Sequence, residues 1–492
     1  MTQILSPEIS ESESVPEYQF FSEWKGVNFF ATFVCLLVWS LLWFYPCPDQ
    51  LSEQAWKLFS IFFATIVGII TRPLPIGPVV LCGIVAVLFT KTLSFEELFI
   101  SYDQPGIWML VMAFFLANGL QKTKLAHRAA YLFISMFGRR TLGLAYGIIL
   151  CELVLAPFIP SLVARSSCLI FPIVHGIAQN LHEDEEHGSL GYRTGGFLLM
   201  AALHGSLISS AMYLTGMAGN PLIADFAKEL GANITWGTWF LSASIPVLIS
   251  FLVIPWLIFH LYKPDLLELP NAAKMAETEL KKLGPLQSDA WSMIAIFGLV
   301  LVMWLWGSQI GVSSTEACLL GVALLLCFGI ISWKDCLETS HAWDTLFWLS
   351  ALISIGLQLK HLGFFTWIGT NLASVGTSYP WYIGFGIVLL VYFYSHYFFA
   401  SNVAHVTSMF FAFLVTAVDL GTPVTFAALQ LGFVSSLFGG LAHYGSSPAP
   451  IYFGAGYVSA KDWWRVGGIC ALANLIIWVG IGSIWMKVLG HW

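Results

Sequence analysis

The sequence predicts an all-α polytopic membrane protein of about eleven transmembrane helices plus two re-entrant hairpins, arranged as an inverted-topology repeat. Three observations lead there. The apolar blocks have spanning length, two of them are broken by polar and helix-stopping residues, and the second half repeats irregularities of the first. Of 492 residues, 58% are hydrophobic and 10% charged, against about a quarter charged in soluble domains. Crossing a hydrocarbon core about 30 Å thick takes about 20 helical residues. In lipid every backbone N–H and C=O must be paired internally, which leaves helices or a closed barrel. The blocks lack the alternation of strands, so they read as helices.

Residues 1–26 set Glu8, Glu11, Glu13, Glu17 and Glu23 against Lys25. Without a basic leader this reads as an acidic, disordered cytoplasmic tail and not as a signal peptide. Plain spans follow at 27–46, 55–71, 74–90 and 105–120, then an amphipathic stretch at 125–138 closed by Arg139 and Arg140. Residues 142–180 are apolar but broken by Pro157 and Pro160, with Ser161, Arg165, Ser166 and Ser167 close behind. That pattern suits a re-entrant hairpin, tolerated where protein or water covers its backbone. A polar loop at 181–193 precedes a span at 194–214, which stops at Gly216-Met217-Ala218-Gly219-Asn220-Pro221, and a further span covers 236–262. The polar linker 263–289 then divides the chain into repeats 27–262 and 290–492.

The second half reads as spans at 290–311, 315–332 and 343–359, then an apolar stretch at 362–374. A second broken segment, 380–418, centres on Ala400-Ser401-Asn402. A span from 423 stops at His443-Tyr444-Gly445-Ser446-Ser447-Pro448, and a last helix covers 462–488. With the N-terminus inside, the 21 lysines and arginines divide unevenly: apart from Arg165, only Lys57, Lys91, Lys228, Lys360 and Lys487 fall outside. The excess of basic residues within marks the cytoplasmic face.

The halves match at their irregular places. Gly119–Leu125 reads GLQKTKL and Gly356–Leu362 reads GLQLKHL. Ser161-Leu162-Val163-Ala164-Arg165 matches Ser401-Asn402-Val403-Ala404-His405, and Gly216 and Pro221 match Gly445 and Pro450. The first arm carries Lys122, Lys124, Arg128, Arg139 and Arg140, whereas its counterpart at 359–378 carries Lys360 alone. Opposite sidedness of equivalent segments implies a pseudo-two-fold axis in the membrane plane. Transporters built this way hold substrate at the midplane between broken helices, whose N-terminal dipoles and free N–H groups suit anions.

Arg165 is the sharpest candidate. A charge at bilayer depth costs about 2.5–3.5 kcal/mol on insertion scales. It reads either as a guanidinium fork for a substrate carboxylate or as an arginine paired to backbone carbonyls at the hairpin tip. His405 reads as a satisfied interior histidine, a second carboxylate donor or a proton-linked switch. Ser161, Ser401 and Asn402 offer short neutral donors, and Gly216, Gly219, Asn220, Gly445 and Ser446 lie where helices break. His182-Glu183-Asp184-Glu185-Glu186-His187 misses the H-E-x-x-H spacing and reads as a solvated acidic turn. Nine scattered cysteines without C-x-x-C read as buried hydrophobes. No phosphate-binding loop and no basic stripe point to ATP or nucleic acid.

FIPSLVAR (Phe158–Arg165), TGMAGNPL (Thr215–Leu222), FFASNVAHVT (Phe398–Thr407) and GGLAHYGSSPAPIYFGAGYV (Gly439–Val458) resemble the divalent anion:sodium symporter family. They look closest to its branch of 2-oxoglutarate/malate translocators and of citrate/succinate and tartrate/succinate antiporters. The resemblance implies scaffold helices at 27–140 and 290–379, transport parts at 141–262 and 380–492, a homodimer, and elevator-like movement. It also implies that substrate is held by two tips, Ser161-Leu162-Val163 and Ser401-Asn402-Val403, and by breaks at Gly216-Met217 with Asn220 and at Gly445-Ser446-Ser447-Pro448. Sodium sites in such proteins fall near Ser161, Gly216, Asn402 and Gly445. This chain departs from the family pattern: Leu162 replaces the first asparagine, and Val163 and Val403 replace both threonines. Oxygen ligands are thus lost, while Arg165 and His405 add positive charge.

The expectation is a secondary transporter, not an enzyme, that exchanges small dicarboxylates of the 2-oxoglutarate, malate and succinate class across a bacterial inner membrane. It needs no cofactor, with sodium left open. A sodium-coupled symporter for the same anions, an inorganic divalent-anion carrier, and a membrane-embedded enzyme or channel are the alternatives.

Overall fold

Short polar side chains standing before apolar runs set where the helices begin. Asn28 and Ser52 accept from the backbone N–H groups of Ala31 and Ala55 and open α1 (Phe29–Phe44) and α2 (Glu53–Thr71). α3 (Ile76–Phe89) follows the proline turn at 73–75. A capping box of Ser94 and Glu97 starts α4 (Phe95–Phe99), and proline at its first position starts α5 (Pro105–Lys122). α6 (Leu125–Phe137), α7 (Thr141–Leu155), α8 (Phe171–Glu183), α9 (Gly188–Met212), α10 (Gly219–Glu229) and α11 (Trp236–Leu261) complete the first half. These come from a computed structural model that describes residues 26–183, 188–364, 367 and 380–492. The acidic tail, most of the 182–187 turn and much of the apolar stretch at 362–374 lie outside the described residues.

The linker is partly ordered, which its composition did not reveal. Its helix α12 (Pro270–Lys282) packs on α6. Arg128 of α6 donates to Leu283 O and Gly284 O at 2.6 Å each, closing the C-terminal end of α12.

The second half repeats the first element by element. α13 (Ser288–Trp306), α14 (Ser314–Cys327), α15 (Trp333–Glu338) and α16 (Ser340–His361) stand for α2 to α5. Even the capping box recurs, since Ser332 and Asp335 open α15 as Ser94 and Glu97 open α4. α17 (Trp381–Ser395), α18 (Phe411–Asp419), α19 (Val424–Leu437), α20 (Ala449–Gly454) and α21 (Ala460–Leu475) follow, the last running on as a helix to Val488. The two sets interlock: α14 packs on α5 and, in the equivalent contact, α3 packs on α16. α9 and α19 pack together, as do α5 and α16.

Among the described residues eight helices are long and apolar enough to cross a membrane, or nine if the pair Phe95–Asp103 and Pro105–Lys122, bent by 54°, forms one span. Every expected span falls on a helix. Several are shorter apolar helices, among them Phe29–Phe44, Ile76–Phe89 and Ser314–Cys327. The arms of the second hairpin, Trp381–Phe398 and Asn402–Asp419, are themselves of spanning length.

The halves are also pinned at the ends of their helices. Lys122 Nζ lies 2.5 Å from Asp335 Oδ2. The Lys122 hydrogen bond, followed by those from the Ser332 N–H and hydroxyl, holds the Asp335 carboxyl down to about 2. A carboxylate depressed in the folded state stabilises above its unfolded value and loses that effect as pH falls toward the folded one. Asp335→Asn is therefore expected to lower the melting temperature in detergent at pH 7. The gap to wild type should close between about pH 4 and pH 2, and a gap that persists unchanged to pH 2 would contradict the assignment.

Candidate functional site

Both hairpin tips fold the same way because both begin with a serine that caps the turn, followed in step by valine and alanine. Ser161 Oγ accepts from Ala164 N at 3.2 Å, and Arg165 N donates to Ser161 O at 3.0 Å. Ser401 Oγ accepts from Ala404 N at 3.4 Å, and His405 N donates to Ser401 O at 3.1 Å. Each tip then enters a π-helical stretch, Val163–Ile170 in one and Val406–Phe410 in the other. Such widened turns are frequent at functional sites. Leu162 is buried, Val163 is exposed, and Val403 is half-buried.

The breaks are closed by two asparagines. Asn220 donates to Ser210 O and Tyr213 O, both at 2.9 Å, and so satisfies the last carbonyls of α9. Asn402 does the same for α19, donating to Ser435 O at 2.9 Å and Ser436 O at 3.1 Å. Their amide oxygens, and the Ser446 hydroxyl, are buried without a partner among the described residues. Orphaned polar atoms of this kind mark where a ligand, ion or water belongs. Met217 is buried, with its sulfur 3.8 Å from Ser436 Oγ. Pro448 is buried and Ser447 exposed beside them. Gly216 is required where it stands, since a Cβ there would lie 2.6 Å from Ser210 O.

Arg165 takes the second of its two expected settings, paired to backbone carbonyls, and adds an acid and serines that the sequence reading did not supply. Its Nε donates to Glu152 Oε2 at 2.5 Å, and both groups are fully buried. Nη1 donates to Ile159 O at 2.7 Å and Gly216 O at 3.0 Å. Nη2 meets Ser210 Oγ at 2.6 Å, Ser206 O at 3.3 Å and Ser209 Oγ at 3.4 Å. A guanidinium has five N–H donors, and here every one has a protein acceptor. The expected open fork for a substrate carboxylate is thus closed onto the protein, because Glu152, in the last turn of α7, reaches it first. The signal was present: Glu152 is the one acid within the apolar run 141–160.

His405 is equally enclosed. Its Nδ1 lies 3.1 Å from His396 Nδ1 and its Nε2 lies 3.0 Å from Ser395 Oγ. Its ring stacks on Phe399 and Tyr392 at 4.5 and 4.6 Å. The other nitrogen of His396 donates to Gly445 O. A carbonyl only accepts, so with both rings neutral the proton between them belongs to His405. Here Arg165 and His396, each from a hairpin, donate to the carbonyl of the glycine at its own break. His396 went unnoticed in the sequence because it precedes the matched tip residues.

The hairpins also cross between repeats. Ser166 and Phe171, after the first tip, meet Tyr452 of α20 at 3.0 Å (hydroxyl to hydroxyl) and 5.0 Å (ring to ring). Phe410 and Phe411, after the second, stack on Phe226 of α10 at 6.2 and 4.8 Å. Two tips and two breaks therefore form one locus. A cavity of about 320 Å³ between α5, α10 and the α13–α14 turn, lined by Asp225, Lys228 and Trp304, touches the first break at Pro221 and is lined by no residue of either tip.

Residues 27–492 match the family described as the sodium:sulfate symporter transmembrane region. The chain belongs to that family. The expected membership of the divalent anion:sodium symporter family is thereby borne out. The chain is 41% identical over 476 residues to dicarboxylate transporter 1, chloroplastic, of Arabidopsis thaliana, covering 95% of this chain and 85% of the relative. It is 40% identical to the putative malate transporter YflS of Bacillus subtilis, covering 95% and 98%, and 32% identical to the L-tartrate/succinate antiporter of Escherichia coli, covering 92% and 97%. In structure it is similar to the YdaH transporter of Alcanivorax borkumensis, with a TM-score of 0.50, 12% identity, and coverage of 79% and 86%. That likeness concerns the fold.

Breaking a buried pair by removing one partner costs about 3–5 kcal/mol, because the other charge is left uncompensated. Arg165→Met is therefore expected to lower the melting temperature sharply, and Arg165→Met with Glu152→Gln to recover much of that loss. A single variant as stable as wild type, but weak in anion binding, would return Arg165 to a direct role at the substrate.

Proposed function

We propose that this chain is a secondary transporter that exchanges small dicarboxylates, of the 2-oxoglutarate, malate and succinate class, without sodium coupling. The names of three relatives support the substrate class. One observation carries the coupling. The carbonyls of Gly216 and Gly445, at the places where sodium would be held in coupled family members, already accept from Arg165 and His396. A hard cation needs oxygen ligands, and each of these two already carries a protein N–H donor that competes with it.

Arg165 is balanced by Glu152, so it does not place an unpaired charge at the tip. The groups left for a dianion are the main-chain N–H groups and dipoles of helices that start at the tips and breaks, with Ser161, Ser401, Ser446 and Ser447 as neutral donors. Moved empty, those helix ends would cross the barrier unsatisfied. Moved with a dianion they are neutralised, and this favours exchange over one-way transport.

In this reading 27–140 and 290–379 are scaffold, 141–262 and 380–492 carry substrate, and the chain forms a homodimer in the inner membrane with its N-terminus in the cytoplasm. The sodium-coupled alternative draws on the orphaned oxygens of Asn220, Asn402 and Ser446, which a cation would accept as ligands.

Liposomes decide between them. Labelled 2-oxoglutarate or malate should enter liposomes preloaded with dicarboxylate, enter empty ones at a small fraction of that rate, and do so equally with or without sodium. Robust uptake into empty liposomes that rises steeply with external sodium would replace exchange by symport.

A further inference from the structure

Glu152 has so far served only to balance Arg165, yet both of its oxygens are engaged. Oε2 takes the guanidinium and Oε1 takes the Ser206 hydroxyl, each at 2.5 Å. The contact does not end there. Ser206 gives its one proton to Glu152, so Ser166 donates to Ser206 Oγ 2.9 Å away, and the Tyr452 hydroxyl donates into Ser166, whose Oγ lies 3.0 Å and whose carbonyl oxygen lies 3.1 Å from it. Glu152, Ser166 and Ser206 are fully buried, and Tyr452 is 1% exposed.

This chain of hydrogen bonds spans the two repeats. It begins on α7, passes through α9 and the π-helical turn after the first tip, and ends on α20, four residues past Pro448 at the second break. The opposite crossing, from the second tip to α10, is made by Phe226 against Phe410 and Phe411. Stacked rings tolerate sliding, whereas a hydroxyl chain anchored on a buried carboxylate sets distance and direction. One of the two crossings is therefore rigid in register and the other is greasy.

We propose that Glu152 and Tyr452 are positioning residues, holding the first tip and the second break in register through Ser206 and Ser166, so that groups from opposite repeats converge on one anion. This rests on the exchange reading. Neither side chain contacts substrate in it: Glu152 acts through Arg165 and Ser206, and Tyr452 acts through Ser166.

Tyr452→Phe tests it with the least disturbance, because the ring against Phe171 stays and only the hydroxyl leaves. In exchange assays its KM for 2-oxoglutarate should rise about three- to tenfold, the worth of an interhelical hydrogen bond in a membrane protein, with kcat within about twofold. Ser166→Ala leaves the Tyr452 bond to the Ser166 carbonyl in place and should be the milder single variant, and combined with Tyr452→Phe its effect should be less than additive, since both remove the hydroxyl-to-hydroxyl contact. An unchanged KM, or additive effects, would overturn the tether. Hydrogen exchange over residues 449–454 in detergent reads the same link without substrate, and should be faster in Tyr452→Phe; unchanged exchange also overturns it. Wild-type protein that carries no dicarboxylate would remove the exchange reading alone, while hydrogen exchange still decides the tether.

Discussion

A helix that stops inside a bilayer leaves carbonyls and N–H groups where no water can reach them. The polar architecture at the centre of this protein follows from that constraint. α9 and α19 both end at the breaks, buried in the protein, and an asparagine amide satisfies the last carbonyls of each, Asn220 on one and Asn402 on the other. The glycine carbonyls just beyond are met by Arg165 and His396. Without these donors the breaks would straighten or fail. With them, the carbonyls at both breaks have protein donors.

The two repeats reach this outcome with different chemistry. The first uses a guanidinium, and a guanidinium in lipid demands a counter-charge, so Glu152 comes with it. The second uses two histidines, which are satisfied as neutral rings by passing a hydrogen bond along and by stacking among Tyr392, Phe399 and Phe438. The pseudo-symmetry is thus one of backbone and position, and the side chains depart from it. That departure leaves the first tip in a polar, tightly bonded setting and the second in an aromatic one.

Charge balance follows from the same arrangement. Had Arg165 been alone, the empty protein would carry a bare cation through a low-dielectric barrier. Paired with Glu152, it contributes direction and hydrogen bonds while adding no net charge. In the proposed exchange, the groups that would meet an anion are helix dipoles and main-chain N–H groups, which exist only because the helices break where they do.

The sequence by itself determined the membrane class, the order of the helices, the two tips and the two breaks. Hydrophobic length and the interruptions Pro157, Pro160, Gly216 and Gly445 are local properties that no folding can hide. The equivalence of Ser161 with Ser401 was equally legible, since both cap the same turn. Only the tertiary structure decided what Arg165 does. Its partners Glu152, Ser206, Ser210 and Gly216 lie 13 to 51 residues away, and a one-dimensional pattern cannot say which acid an arginine meets. His396, Tyr452 and the packing of α12 on α6 were hidden for the same reason. Each looks ordinary in its own segment and gains a role only when another helix is packed against it.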